Sequence, residues 1–172
     1  MNASDTTQNT EITKDTLPAK KVSDSETHQL HVVIHPDING FGRLFGGRLL
    51  EWIDEVAGAT ARRHCGRDAT TVAIDNLYFK SGAYLNDIIV LIGKVTHVGH
   101  TSMEVRVDTY REEPDGTRHP INRAYFVMVA MGDNGKATPV PGLILENNGE
   151  RMEWDNAIKR RELRLVRKKE GF

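Results

Sequence analysis

From Gly46 to His64 the apolar residues Leu50, Ile53, Ala57 and Ala61 recur at helical spacing, and beyond them the apolar runs take the period of a strand. A chain of this pattern has one long helix and a set of strands with which to cover it. The helix, about 27 Å long at 1.5 Å per residue, closes on "RRHCG", with basic residues in its last turn and Gly66 as the residue that ends it. Before it stands one short strand, "HQLHVVIH". After it come "TTVAIDNLYFK", "DIIVLIGKVTHV", "TSMEVRVDTYRE" and "NRAYFVMVAM", with a tight turn at Gly99 and His100 and a hairpin at "EPDG". The order predicts a strand, a helix and then four strands in a meander. One helix with antiparallel strands is an α+β arrangement, the sheet folded over the helix. Such a sheet leaves exposed edges and a small core, so a dimer is expected.

Charge and composition narrow the function classes. The chain of 172 residues carries 23 basic and 24 acidic side chains, so no bulk field points to nucleic acid. Its one cysteine, Cys65, excludes a disulfide framework or a cysteine-based zinc site within one chain, and a reducing cytoplasm fits it. No run approaches the ~18 apolar residues of a membrane helix, so no membrane partner is expected. Residues 1–27 are polar and lack a signal-peptide core; they read as a flexible tail. Residues 28–145 form the folded domain, and residues 146–172 a basic helical extension. The seven Lys and Arg between Lys159 and Lys169 read as a solvated helix face.

The chemistry concentrates around "NGFGRLFGGRLLEWIDEVAG". A helix start preceded by glycines offers unpaired N–H groups and a partial positive charge, and Gly46 and Gly47 leave them unshielded. Asp54 lies two turns beyond Gly47, about 10.5 Å along the axis, on a side shared with Leu50, Gly58 and Ala61. It reads either as a solvated acid paired with Arg62 or Arg48, or as a base or nucleophile in a cleft. At that distance it is too far from its own helix start to act there, but a second copy's helix start is open to it. Asn39 can donate to a carbonyl or orient a water, and otherwise is a turn residue before Gly40. Asp75, inside a strand, must be paired if buried, and is the reserve candidate for the base. His97, His100 and His119 read as surface residues, His35 as positional, Cys65 and Trp52 as packing. No metal site is expected.

The pattern N-x-x-G-x-x-x-G-G from Asn39 to Gly47, followed by "WIDEVAG" and "RRHC", resembles the hotdog-fold acyl-coenzyme A thioesterases, in their acyl-CoA hydrolase branch. The likeness runs on through "TVAIDNLYF", "VTHVGHTSMEVRV" and "PVPGL", from about Thr27 to Arg167. It implies a long central helix wrapped by an antiparallel sheet, paired as a double-hotdog dimer and built further into a trimer of dimers. It also implies hydrolysis of acyl-CoA, with catalytic roles for Asn39 and for Asp54 of the other protomer, and for the Gly47 N–H at the thioester oxygen. Gly46 would border the substrate, and Gly99, His100, Thr101 and Ser102 would lie near the pantetheine and phosphates of coenzyme A. The basic C-terminal run is a second place to attract those phosphates. No cofactor is implied, coenzyme A being part of the substrate. Alternatives on the same fold are a non-catalytic acyl-CoA sensor and a hydroxyacyl dehydratase, which would need a histidine such as His35. Which of Leu50, Ile53, Tyr78 and Phe79 line an acyl pocket is not set by spacing.

Overall fold

The computed structural model describes residues 17–75 and 77–171. The first sixteen residues of the expected tail lie outside that range. The rest of the tail is structured: Lys20–Lys21 (β1) pairs in parallel with Leu143–Ile144 (β7), and Val22–Ser25 (α1) is a helical turn with Val22 and Ser25 buried. The apolar Val22 in this polar stretch is what anchors it.

The long helix, α2, spans Gly46–Cys65, and Gly66 ends it in the left-handed region at φ 67°, its N–H bonded to the Arg62 carbonyl. Around α2 wrap β2 (Thr27–Val32), β3 (Asp68–Ile74), β4 (Ile88–Val98), β5 (Ser102–Glu112) and β6 (Arg118–Met131), all antiparallel, in the order β2-β4-β5-β6-β3. Only β4, β5 and β6 form a meander. β3 departs from the expected four-strand run: it crosses to the far edge and pairs with β6. That strand also ends at Ile74 rather than continuing to Lys80. Beyond it, Asp75 N–H bonds Tyr125 O, Lys80 N–H bonds Ile121 O and the Ser81 hydroxyl bonds Pro120 O of β6, in place of a continuous ladder.

α2 contacts all five strands, and its buried face is Leu49, Trp52, Ile53, Val56, Ala57, Thr60, Ala61 and His64. Ala61 thus belongs to the core, not to the side that carries Asp54. The core continues through Leu91, Val95, Met103, Val105, Phe126 and Met128. Close approach of helix and sheet depends on Gly93 of β4, because a Cβ there would stand 2.3 Å from Thr60 Oγ1 and 2.8 Å from Val56 Cγ1. Gly93→Ala is expected to cost about 1–3 kcal/mol, the usual range for overpacking; a denaturant midpoint unchanged from wild type would contradict this contact.

The last helix, α3 (Asn148–Glu170), lies on the outer face of the sheet. Its basic residues are not a uniformly solvated face. Arg160 and Arg164 bond the buried Glu104 at 2.7 and 3.0 Å, and Arg164 and Arg167 bond Asp75 at 2.5 and 3.1 Å. Burial alone would push the Glu104 carboxyl up, but Arg160, with Thr96 and Arg164, holds it below the usual carboxylate range. Asp75 is therefore a structural ion-pair partner and no longer a candidate base.

Candidate active site

The loop ahead of α2 is clamped at both ends. Phe45 N–H donates to Asp37 O at 2.7 Å, Asn39 N–H to Arg43 O at 2.7 Å, and Leu44 N–H to Ala83 O at 2.8 Å. Gly42, at φ 72°, makes the reversal inside it. The half-buried Asn39 side chain completes the turn: its Oδ1 accepts from Phe41 N–H at 2.9 Å and Arg43 N–H at 3.2 Å. Two N–H donors fix which end of the amide is oxygen. Its Nδ2 has no partner among the described residues, so the amide is held with its donor end free.

Phe45 precedes α2 as its cap and offers no side-chain acceptor. The N–H groups of Gly46, Gly47 and Arg48 therefore have no acceptor among the described residues, as expected at an uncapped helix start. Asn39, Arg43, Gly46, Leu49, Phe79 and Lys80 are among the residues that border a cleft of about 330 Å³ there. Phe79, which lines the cleft, is 50% exposed, and Phe41, Phe45 and Tyr78, near its lining residues in sequence, are at least half exposed. Of the four residues considered for an acyl pocket, Phe79 lines this cleft, Tyr78 is exposed nearby in sequence, Leu50 packs partly buried, and Ile53 is sealed in the core.

Asp54 is on the open side of α2, exposed and outside this cleft. The reading that paired it with Arg62 or Arg48 fails: Arg62 pairs with Asp68, and Arg48 with Asp37 and Glu51. Its partner is Thr71 of β3, whose Oγ–H donates to Asp54 Oδ1 at 2.6 Å. A neutral hydroxyl orients the carboxylate without neutralising it. Sequence reasoning passed over Thr71; its one signal is a polar residue facing inward on a strand that otherwise alternates with apolar neighbours. β3 is an edge strand of the sheet, and Val72 and Ile74 on it are 54% and 42% exposed, so the carboxylate stands beside an unpaired, apolar sheet edge.

The remaining candidates fall elsewhere. Gly99, His100, Thr101 and Ser102 form the β4–β5 turn, closed by Gly99 N–H to Ser102 O at 2.7 Å; Ser102 borders a different cleft, beneath α3. His35 is exposed on a 3-10 turn, His35–Asp37, and does not border the Asn39 cleft. One protomer thus holds a donor-rich helix start and, two turns away, an oriented carboxylate that does not meet it.

Known proteins share this plan. Residues 41–117 match the thioesterase superfamily model. The uncharacterized acyl-CoA thioester hydrolase YkhA of Bacillus subtilis is 36% identical over 134 residues, 77% of this chain and 78% of that one. A hexameric acyl-CoA thioesterase solved without ligand superposes with a TM-score of 0.84 at 37% identity, over 88% of this chain and 97% of that one. An acyl-CoA hydrolase from Staphylococcus aureus, solved with butyryl coenzyme A and coenzyme A, superposes with a TM-score of 0.85 at 32% identity, over 90% and 94%. The same enzyme has been solved with alanine replacing, one at a time, an asparagine, an aspartate and a threonine. With its sheet curled around one long helix and these likenesses across most of its length, the chain belongs to the hotdog-fold acyl-CoA thioesterases of the thioesterase superfamily.

Proposed function

We propose that the protein hydrolyses acyl-CoA to a free acid and coenzyme A in a site built by two copies of the chain. The observation that carries this reading is the pair of unmatched halves. Asn39, whose Nδ2 has no partner among the described residues, and Gly46 at the uncapped start of α2 border a cleft with no carboxylate or histidine in its lining, and Asp54, aligned by Thr71, lies outside that cleft beside an open sheet edge. A two-fold pairing brings each half to its complement twice.

The three positions replaced in the Staphylococcus enzyme support the same trio. They are fifteen and then seventeen residues apart, the intervals that separate Asn39, Asp54 and Thr71 here. In the shared site the thioester carbonyl lies at the start of α2. The Gly47 N–H and Asn39 Nδ2 bind its oxygen more strongly as negative charge grows there. Asp54 of the other copy drives the addition, by taking a proton from water or by forming an acyl anhydride that water then opens. The tetrahedral intermediate expels the coenzyme A thiolate, a good leaving group that needs no strong acid. The fold's other reaction, dehydration of a hydroxyacyl thioester, would need a histidine at the site, and none borders the cleft among the described residues. A cytoplasmic location and assembly as a dimer or trimer of dimers go with this reading.

The donor role of Asn39 is separable from its role in the turn. Asn39→Asp keeps an oxygen for Phe41 and Arg43 N–H but replaces the donor with a second acceptor. It is expected to retain the fold and to lose about 10²–10³ in kcat, the scale of one lost oxyanion donor. Thiol release from acetyl-, hexanoyl- and palmitoyl-CoA measures this. Release from none of them by the wild-type chain, despite coenzyme A binding, would make it a sensor instead.

A further inference from the structure

Two polar side chains are buried on the helix-facing side of the sheet with nothing to bond. Thr109 of β5 is fully buried and Asn122 of β6 is 3% exposed. The Thr109 hydroxyl and both the oxygen and the nitrogen of the Asn122 amide have no hydrogen-bond partner among the described residues. The two residues stand opposite each other in the β5–β6 register, so three unsatisfied polar atoms belong to one cross-strand pair. A buried amide without a partner costs free energy, and native cores rarely leave one so.

An irregularity in β6 brings this pair next to the cleft at the start of α2. Thr109 pairs with Asn122 but Tyr110 with Pro120, which makes Ile121 an extra residue in its strand. Such a bulge re-aims a side chain, and Ile121 and Asn122, consecutive in sequence, are both buried. Ile121 borders the Asn39 cleft together with Gly46 and Leu49. Gly93, Val107 and Ala124 form the row against which Val56 and Thr60 of α2 pack; Leu91, Thr109 and Asn122 form the next row, on the side of Ile121. The polar pair thus lies one residue behind the wall of the cleft.

The chemistry of the pair selects its complement. The amide offers donors and an acceptor, the threonine hydroxyl one of each, and neither is charged. An alkyl chain satisfies none of them. A carboxylate would meet the amide oxygen without a free cation: Arg111, two residues along β5, is taken by Glu113 at 2.7 Å and stands 4.0 Å from Asp87. A neutral hydroxyl fits, accepting from Asn122 Nδ2 and donating to its Oδ1 or to Thr109 Oγ1. We infer that Thr109 and Asn122 are specificity residues that favour acyl chains bearing a hydroxyl at the end remote from the thioester. This rests on the hydrolase reading above, with the thioester at the start of α2 and the chain running inward past Ile121.

The test compares kcat/KM for hexanoyl-CoA, 3-hydroxyhexanoyl-CoA and 6-hydroxyhexanoyl-CoA on the full chain, by thiol release above the enzyme-free rate. The 6-hydroxy substrate is expected to be favoured over hexanoyl-CoA about 10-fold, the scale of one net hydrogen bond, and the 3-hydroxy substrate, its hydroxyl beside the thioester, not to be favoured. T109V and N122L together, each close in shape to the residue replaced, are expected to bring the 6-hydroxy preference to about one. The same protein should keep a denaturant midpoint at or above wild type, because apolar replacement of unpaired buried polar groups is neutral or stabilising; T109V alone should lower the preference in the same direction. Equal use of all three substrates by the wild type would overturn the assignment and leave the pair to a bound water. A preference for the 3-hydroxy substrate, or a 6-hydroxy preference that survives both substitutions, would overturn it as well. Calorimetric Kd values on Asp54→Asn protein keep the two readings apart. A chain that hydrolyses none of the three but binds the 6-hydroxy compound most tightly loses the hydrolase reading and keeps this one; a chain that hydrolyses and binds all three alike does the reverse.

Discussion

Replacing Asp54 with asparagine is expected to lower kcat for acyl-CoA hydrolysis by about 10²–10⁴, the usual contribution of a positioned base, without unfolding the chain. The side chain is exposed, forms no ion pair among the described residues, and has one hydrogen-bond partner, Thr71 Oγ1, which an asparagine oxygen can still satisfy. Packing, charge pairing and strand register are therefore unaltered, and the loss falls on the proton or the covalent bond that a carboxylate alone can take. KM is expected to change little, because the carboxylate acts as water or its own oxygen attacks, not in holding coenzyme A. Thr71→Val gives a smaller companion effect, since the carboxylate remains but is no longer aligned. A kcat for Asp54→Asn within a factor of three of wild type would remove Asp54 from the chemistry.

The largest stability effect is expected on the other face of the sheet. Glu104 is 2% exposed and bonds Arg160, Arg164 and Thr96. Glu104→Ala leaves two guanidinium groups facing a buried hollow, with Asp75 and Glu153 the remaining acidic partners among the described residues. Removing one partner of a buried ion pair costs about 3–5 kcal/mol, a large fraction of the stability of a domain this size. Chemical denaturation measures it, and a loss below 1 kcal/mol would contradict the network. The pH dependence has a definite sign. The folded carboxyl titrates below its ordinary value of 4.5, so its contribution is fully present above that value. It disappears as pH falls through the lower folded value. The acid limb of the stability curve should accordingly be shallower in Glu104→Ala than in wild type.

The readable part of this fold is the part governed by neighbours in sequence. Apolar spacing and Gly66 located α2 because helix period and C-terminal geometry are local properties. The Glu113–Thr117 hairpin and the β4–β5 turn were likewise legible from their glycines. Strand order was not, because β3 pairs with β6 across more than fifty residues of intervening chain, and period two says which face is buried, not which strand lies alongside. The basic run showed the same limit. Arg167 pairs with Asp75, 92 residues away, and no local rule separates it from Lys168 beside it, which has no ion-pair partner among the described residues.

The site divided in the same way. Asn39, Gly46, Gly47 and Asp54 stand out because unusual residue types meet a helix start, and the helical rise alone says that Asp54 cannot serve its own N-terminus. Thr71 stayed hidden, since its meaning comes only from facing Asp54 across the helix–sheet interface. The cleft beneath α3 was hidden for the same reason: Ser102 of the turn and Arg164 of the helix are some sixty residues apart in the chain and meet only in the packed structure.

Subunit exchange tests the shared site most directly. Asn39→Asp and Asp54→Asn proteins, each inactive, are mixed, dissociated and reassociated, with formation of mixed dimers verified by mass. Each mixed dimer rebuilds one intact site from the Asn39 of one copy and the Asp54 of the other, so thiol release should recover to about a quarter of the wild-type rate under random pairing of two-fold dimers. Activity that stays at the level of the separate variants, with mixed dimers demonstrated, would contradict a site divided between two copies.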